Sequence, residues 1–270
     1  MNIILFSIVA ISLYLLTAGW ISYRIFRLNL IVDGMKAQIT IMGGVALLAH
    51  ATVLYQSIIT GSGLNLGFYN ALSLMSWLIA FFVIFLAVIK PVENLAIVFL
   101  PGAAMALGLE LAFSSDYIVS DPSDIGLRIH ILLSITAYSF LAIAAVQSVL
   151  LAIQDHQLRN KHPVSAMRIL PPMQTMEELL IHMIAIGFFL LSMSLASGLM
   201  FVHDFFAQHL VHKTVLSLLA WLIFGLVLLG RWTWGWRGMT LIRWTLGGFV
   251  SLMLAYFGTK LVLELILHRV

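Results

Sequence analysis

The chain has 270 residues, 62% of them hydrophobic and only 9% charged, with a mean hydropathy of +1.07. Soluble domains carry roughly a quarter charged residues, so a soluble fold is excluded, and the net charge of +3 comes from Lys and Arg in short loops, not from a basic stripe suited to nucleic acid. The absence of Cys excludes disulfides, thiolate metal sites and covalent haem attachment through this chain.

A helix needs about 20 apolar residues to cross a bilayer. Eight runs qualify, covering roughly 2–23, 37–60, 67–89, 92–113, 128–153, 180–202, 214–230 and 244–267. The first has no positive region before its apolar run, which predicts a retained helix and not a cleaved signal. The third and fourth are separated only by Lys90-Pro91-Val92-Glu93, which predicts a tight helical hairpin. Pro101 with Gly102 predicts a kink in the fourth, which membrane helices tolerate. The 114–127 loop holds three Asp and no cation. The 154–179 segment is the longest polar stretch, expected to be a connector with a short interfacial helix. The expected fold is all-α: a single integral membrane domain over 1–270, built as a bundle of about eight transmembrane helices.

Lys and Arg concentrate on the cytoplasmic side of membrane proteins. With both termini outside, on the periplasmic side, the inner loops carry Arg24, Arg27, Lys36, Lys90, Arg159, Lys161, Arg168, Arg231, Arg237 and Arg243. Arg128, Lys213 and Arg269 fall outside, and Lys260 lies within the last span. That bias sets the expected orientation, in a bacterial inner membrane.

The nine histidines then sort by side. His130, His203, His209, His212 and His268 come to the outer face, and His50 lies inside the second span. His156, His162 and His182 are inner. An ionisable side chain in lipid is costly and marks a functional site, and neutral imidazole is a common metal and haem-iron ligand. The plain alternatives are a buried hydrogen bond for His50, an ordinary interfacial residue for His130 and a frayed tail for His268. His209 and His212 share a helical face and are spaced to clip a metal, the weaker signal. Other span polar groups, Glu110, Tyr55, Gln56, Asn70 and the Lys260/Glu264 pair, are biased outward. Gly43-Gly44 and Ala196-Ser197-Gly198 predict close helix approach. The Arg231–Gly238 stretch, with Trp232, Trp234 and Trp236, reads as an inner aromatic belt.

Several stretches together resemble a known family. Lys213–Trp221, Gly235-Trp-Arg-Gly238, Leu246-Gly-Gly-Phe249 and Ala255-Tyr-Phe-Gly258 look like the C-terminal part of the haem-handling cytochrome c assembly proteins of the CcsA/CcmC type, closest to their short HemX/YpjD-like branch. Asn65–Trp77, Leu127-Arg-Ile-His130 and Leu195-Ala-Ser-Gly198 match further family stretches in order, so the resemblance covers about residues 40 to 268. It implies a non-enzymatic protein that binds haem b near the outer face and presents it to a membrane or periplasmic protein partner. His130 and His268 would be the axial ligands of the iron, with His50 an auxiliary or buried structural site. The chain departs from the family in two places. The outer Trp-rich motif is replaced by His203–Lys213, where Phe205 and Phe206 are the only aromatics, and a second span histidine of the family is Leu229 here. These departures leave open a second reading, an accessory membrane subunit that kept the fold without haem. A divalent-metal binder using His203, His209 and His212 ranks third, because the spans lack the carboxylates of a hard-cation path.

Overall fold

The structure, a computed structural model, describes residues 2–25, 34–61, 63–90, 93–113, 118–119, 125–159, 172–201 and 211–258. These residues contain eight helices long and apolar enough to cross a membrane. They are α1 (Ile3–Tyr23), α2 (Gly34–Ile58), α3 (Phe68–Ile89), α4 (Glu93–Ala112), α5 (Ile125–Arg159), α6 (Met173–Phe201), α7 (Val211–Thr233) and α8 (Gly238–Met253), the last continued by a π-helical turn, Leu254–Gly258. The all-α expectation and the count of eight spans hold. The sequence did not announce a small antiparallel sheet of three short strands: β1 (Ile59–Thr60), β2 (Gly63–Asn65) and β3 (Ile118–Val119), in that order. Leu64 pairs with Ile59 on one side and Val119 on the other.

Several boundaries differ from expectation. α5 runs to Arg159, six residues past the predicted span, because Asp155 and Arg159 sit four apart and bridge at 3.0 Å, so the polar last turn stays helical. α6 starts at Met173, so Glu177 and Glu178 belong to a helix and not to a connector. Of the 154–179 segment, where the sequence predicts a connector with a short interfacial helix, residues 160–171 lie outside the described residues. Pro101 lies inside α4, where its ring removes one N–H from the ladder.

The described helices fall into two compact units, α1–α4 with the strands and α5–α8 with the π turn. Each is a ring of antiparallel neighbours. In the first, α1 packs on α2 and α4, and α3 packs on the same two. In the second, α5 packs on α6 and α8, and α7 packs on the same two. Lipid tails are as apolar as Leu, so helices associate through close packing and hydrogen bonds. Glycine supplies the close approach at defined points. A Cβ on Gly43 would lie 2.6 Å from Ile84 Cδ1 between α2 and α3, and one on Gly187 would lie 2.7 Å from Leu141 between α5 and α6. Gly44, its neighbour in the expected pair, faces open space.

With no water in the bilayer core, polar side chains must find partners inside the protein. Most span hydroxyls turn back on their own helix. Ser7, Thr17, Ser139, Ser148, Ser192 and Thr245 each donate to the carbonyl four residues earlier. The exceptions mark the sites described next.

Candidate functional site

His130 sits in the second turn of α5, half-buried against the last third of α6. Its Nδ1 lies 3.0 Å from the Ser194 carbonyl oxygen and 3.1 Å from Ser197 Oγ. A carbonyl can only accept, so Nδ1 carries the proton and donates it. Nε2 is then the unprotonated nitrogen with an available lone pair. Ser134 Oγ is 3.5 Å from it, but that hydroxyl lies closer to Ser194 Oγ and to the His130 carbonyl, each at 2.7 Å. Ser197 in turn donates to the Ser194 carbonyl at 2.8 Å. Three serines on two helices thus hold the ring in one tautomer and one direction. A ligating histidine is usually held this way, through its other ring N–H on a carbonyl or carboxylate.

The spacings that build this cradle are helical. His130 and Ser134 are four apart on α5, and Ser194 and Ser197 three apart on α6, so each pair shares a face. The Ala196-Ser197-Gly198 cluster, read from sequence as a packing device, therefore also places a hydroxyl against the His130 ring. Ser134 and Ser194 were not singled out at all; an isolated serine in a span carries no signal until its facing helix is known.

His50 has the opposite character. It is fully buried in α2, and both ring nitrogens are engaged. Nδ1 is 3.3 Å from Tyr14 Oη on α1, and Nε2 is 2.9 Å from Ser73 Oγ on α3. The Tyr14 ring meets the imidazole edge-on, with centroids 5.9 Å apart. The stretch Asn65–Trp77 explains why Ser73 is so placed. Asn65 Oδ1 accepts the Gly67 N–H at 3.1 Å, Asn70 Nδ2 donates to the Asn65 carbonyl at 3.3 Å, and Trp77 Nε1 donates to the Leu47 carbonyl at 2.9 Å. The entry to α3 is thereby shaped locally, and Trp77 ties the helix to α2 one turn after Ser73.

His268, His203 and His209 lie outside the described residues, as do Lys260 and Glu264. His212 is within α7, and its side chain is outside the described set. Among the described residues no group of three or more His, Asp or Glu is placed to hold a metal ion. Leu229, where the family has a histidine, is 53% exposed on α7.

The Arg231–Gly238 stretch is a locked turn. Glu177 Oε1 accepts the Gly238 N–H at 2.8 Å and its Oε2 lies 3.7 Å from Arg231 Nη1, which donates to the Trp236 carbonyl at 3.1 Å. Gly235 and Gly238 have φ of +65° and +55°, a left-handed backbone that glycine adopts without steric cost. Trp234, Trp236 and Trp244 stack in series, with centroids 5.9 Å apart at each step. Trp232 and Trp234 are exposed, as an aromatic belt requires.

Comparison with known proteins agrees with this architecture. The family described as cytochrome C assembly protein matches residues 39–267. Inner membrane protein YpjD of Escherichia coli (strain K12) is 31% identical over 263 residues, covering 97% of this chain and 98% of that protein; YpjD of Escherichia coli O157:H7 matches to the same extent. An uncharacterized 28.8 kDa protein of Azospirillum brasilense is 31% identical over 145 residues, covering 53% of this chain and 54% of that protein. No solved structure matches the chain. With eight spans and these relatives, it is a multi-pass protein of the bacterial inner membrane.

Proposed function

The chain belongs to the cytochrome c assembly protein family, and from that premise we propose that it is a haem-binding membrane protein that holds haem b near the outer face. The observation that supports this reading is the His130 tautomer. Its Nδ1–H is committed to the Ser194 carbonyl, which leaves Nε2 as a preset iron ligand at the end of a span. Haem supplies its own redox and coordination chemistry when bound. The protein's part is to orient the imidazole, through Ser194, Ser197 and Ser134, and to raise its basicity by the hydrogen bond at the far nitrogen. His268 is proposed as the second axial ligand. His50 does not fit a ligand role as bonded, because ligation needs a free nitrogen and both of its nitrogens are used; it fits the buried structural role. The function is binding and handing on haem to a membrane or periplasmic protein partner, not catalysis.

The test is the optical spectrum of the purified protein, alone and titrated with haemin. A Soret band that saturates near one haem per chain is expected, and its loss in His130→Ala. A colourless protein that gains no band with haemin would sink the reading. It would favour the second one, an accessory membrane subunit that kept the fold without haem, for which Leu229 and the occupied nitrogens of His50 speak. Stoichiometric co-purification of a partner protein without any chromophore would then be the expected result.

A further inference from the structure

The first unit contains a polar cluster that haem ligation does not use. It takes one or two side chains from each of its four helices: Tyr14 on α1, His50 and Ser57 on α2, Ser73 on α3 and Glu110 on α4. Tyr14 Oη contacts His50 Nδ1 at 3.3 Å, and His50 Nε2 contacts Ser73 Oγ at 2.9 Å. Ser57 donates to Glu110 Oε1 at 2.6 Å. The other carboxylate oxygen, Oε2, is buried and has no hydrogen-bond partner. Tyr14, His50 and Ser73 thus form one hydrogen-bonded run and Ser57 with Glu110 a second, both within this unit.

Depth along the helices orders these groups. At about 1.5 Å per residue, Ser57 and Glu110 lie within about 3 Å of the helix ends that carry the strands. Ser73 lies about 8 Å in, His50 about 12 Å and Tyr14 about 17 Å. The two runs are therefore a ladder that descends from one edge of the unit to mid-depth, with the acid at the top.

Tyr14 O–H can donate to Nδ1 and Nε2–H to Ser73 Oγ, and Ser57 O–H donates to the carboxylate. Among the described residues no cation pairs with it. The titratable and charged groups that face it are few. α1 offers Tyr14, α2 offers His50, and α3 offers Tyr69, whose ring stacks on Phe113 near the end of α4. Tyr55 is exposed on the outside of α2. Tyr23, Arg24, Lys36, Lys90 and Glu93 are at the opposite helix ends. A lone carboxylate in a span, held by one hydroxyl donor with its other oxygen buried and unpartnered, marks a functional site in a membrane protein.

We propose that Glu110 is a proton-binding site at the head of this ladder: its free Oε2 takes one proton from the aqueous edge, converting carboxylate to carboxylic acid. Only that O–H bond forms, and only the proton's bond to its water carrier breaks. Ser57 tunes the site by donating to the carboxylate form. This inference is independent of the haem reading, since neither His130 nor His268 takes part.

Dicyclohexylcarbodiimide, an apolar reagent that adds to a protonated carboxylic acid, is the probe. The full-length protein in liposomes is treated across a pH series, and the label on Glu110 is located by fragment mass spectrometry. Labelling of Glu110 is expected to fall as pH rises, with the steepness of a single proton. At a fixed pH, Ser57→Ala is expected to raise labelling about tenfold, the equivalent of one lost charge-assisted hydrogen bond. Infrared difference spectra with pH provide a second readout, a carboxylic acid carbonyl band that disappears in Glu110→Gln, a near-isosteric variant that keeps the Ser57 acceptor. Absence of label at every pH, labelling insensitive to pH, or a carbonyl band unchanged in Glu110→Gln would overturn the proposal. So would a Ser57→Ala protein, shown folded by circular dichroism, that labels as the parent does.

Discussion

Replacing His50 by Leu removes both hydrogen bonds of its ring, and the cost follows from what is left behind. Leu fills most of the vacated volume, so the cavity contribution is small. Ser73 has an escape, because a helical serine can turn its hydroxyl to the carbonyl four residues back, as Ser139 and Ser148 do here. Tyr14 has none: it is fully buried, and its hydroxyl is directed at His50. An unpaired buried donor costs about 1–3 kcal/mol, while interhelical hydrogen bonds in membranes average about 0.6 and reach about 1.7 kcal/mol. The long 3.3 Å contact belongs toward the lower end, so His50→Leu should lose about 1–2 kcal/mol. Adding Tyr14→Phe removes the orphaned hydroxyl, so the double variant should be no less stable than His50→Leu alone. The coupling between the two should be about 0.5–1 kcal/mol. Equilibrium unfolding in mixed micelles, followed by helical circular dichroism, gives all four corners of the cycle. Strict additivity, or a loss beyond about 4 kcal/mol, would refute the hydrogen-bond account of His50. The same variants carry a second readout. Folded His50→Leu protein should keep its Soret band; loss of the band would mean that His50 is an iron ligand.

Haem bound by two histidines is six-coordinate and low-spin, so His130→Ala and His268→Ala should each convert the spectrum toward high-spin or lose the band, and a low-spin spectrum surviving in either would remove that residue from the ligand set. Ser197→Ala should weaken haemin binding no more than about 10-fold, because the Ser194 carbonyl still holds Nδ1; a complete loss would show that the hydroxyl touches haem directly. Glu177→Ala removes both the acceptor for the Gly238 N–H and the partner of Arg231, and should cost about 1–3 kcal/mol in the same micelle assay without altering haemin affinity.

The eight spans were legible because their signal is long and local: a score of apolar residues decides each one. The helix ends were less legible, as α5 and α6 show. Both extend into polar sequence, where an i,i+4 pair such as Asp155 and Arg159 continues the helix after hydropathy has fallen. The three strands were invisible, since Ile59–Thr60 and Ile118–Val119 are too short to show a period and meet only through Gly63–Asn65. At the sites, histidine announced itself by rarity, but its partners did not. Tyr14 and Ser73 are unremarkable letters in apolar runs, 36 and 23 residues from His50. Ser194 contributes a backbone carbonyl to His130, and every residue has one of those. Glu110 was visible as an outward-biased acid, yet its place at the top of a ladder appeared only with the packing of four helices.

An imidazole has two nitrogens, and the way each is spent separates histidines that sequence treats alike. His50 and His130 are both span histidines with serines for company. At His130 a carbonyl takes the Nδ1 proton, and a carbonyl cannot give one back, so the ring is fixed as a donor on one side and an open lone pair on the other. At His50 the two partners are hydroxyls, which can donate or accept, so neither nitrogen is held open and the ring closes on itself between Tyr14 and Ser73. A carbonyl partner prepares a ligand, whereas a hydroxyl pair prepares a link in a hydrogen-bonded chain. On this criterion the burial of His50, which made it conspicuous in the sequence, is what suits it to a hydrogen-bonded run, and the half-buried His130 is the one that keeps the lone pair the haem proposal requires.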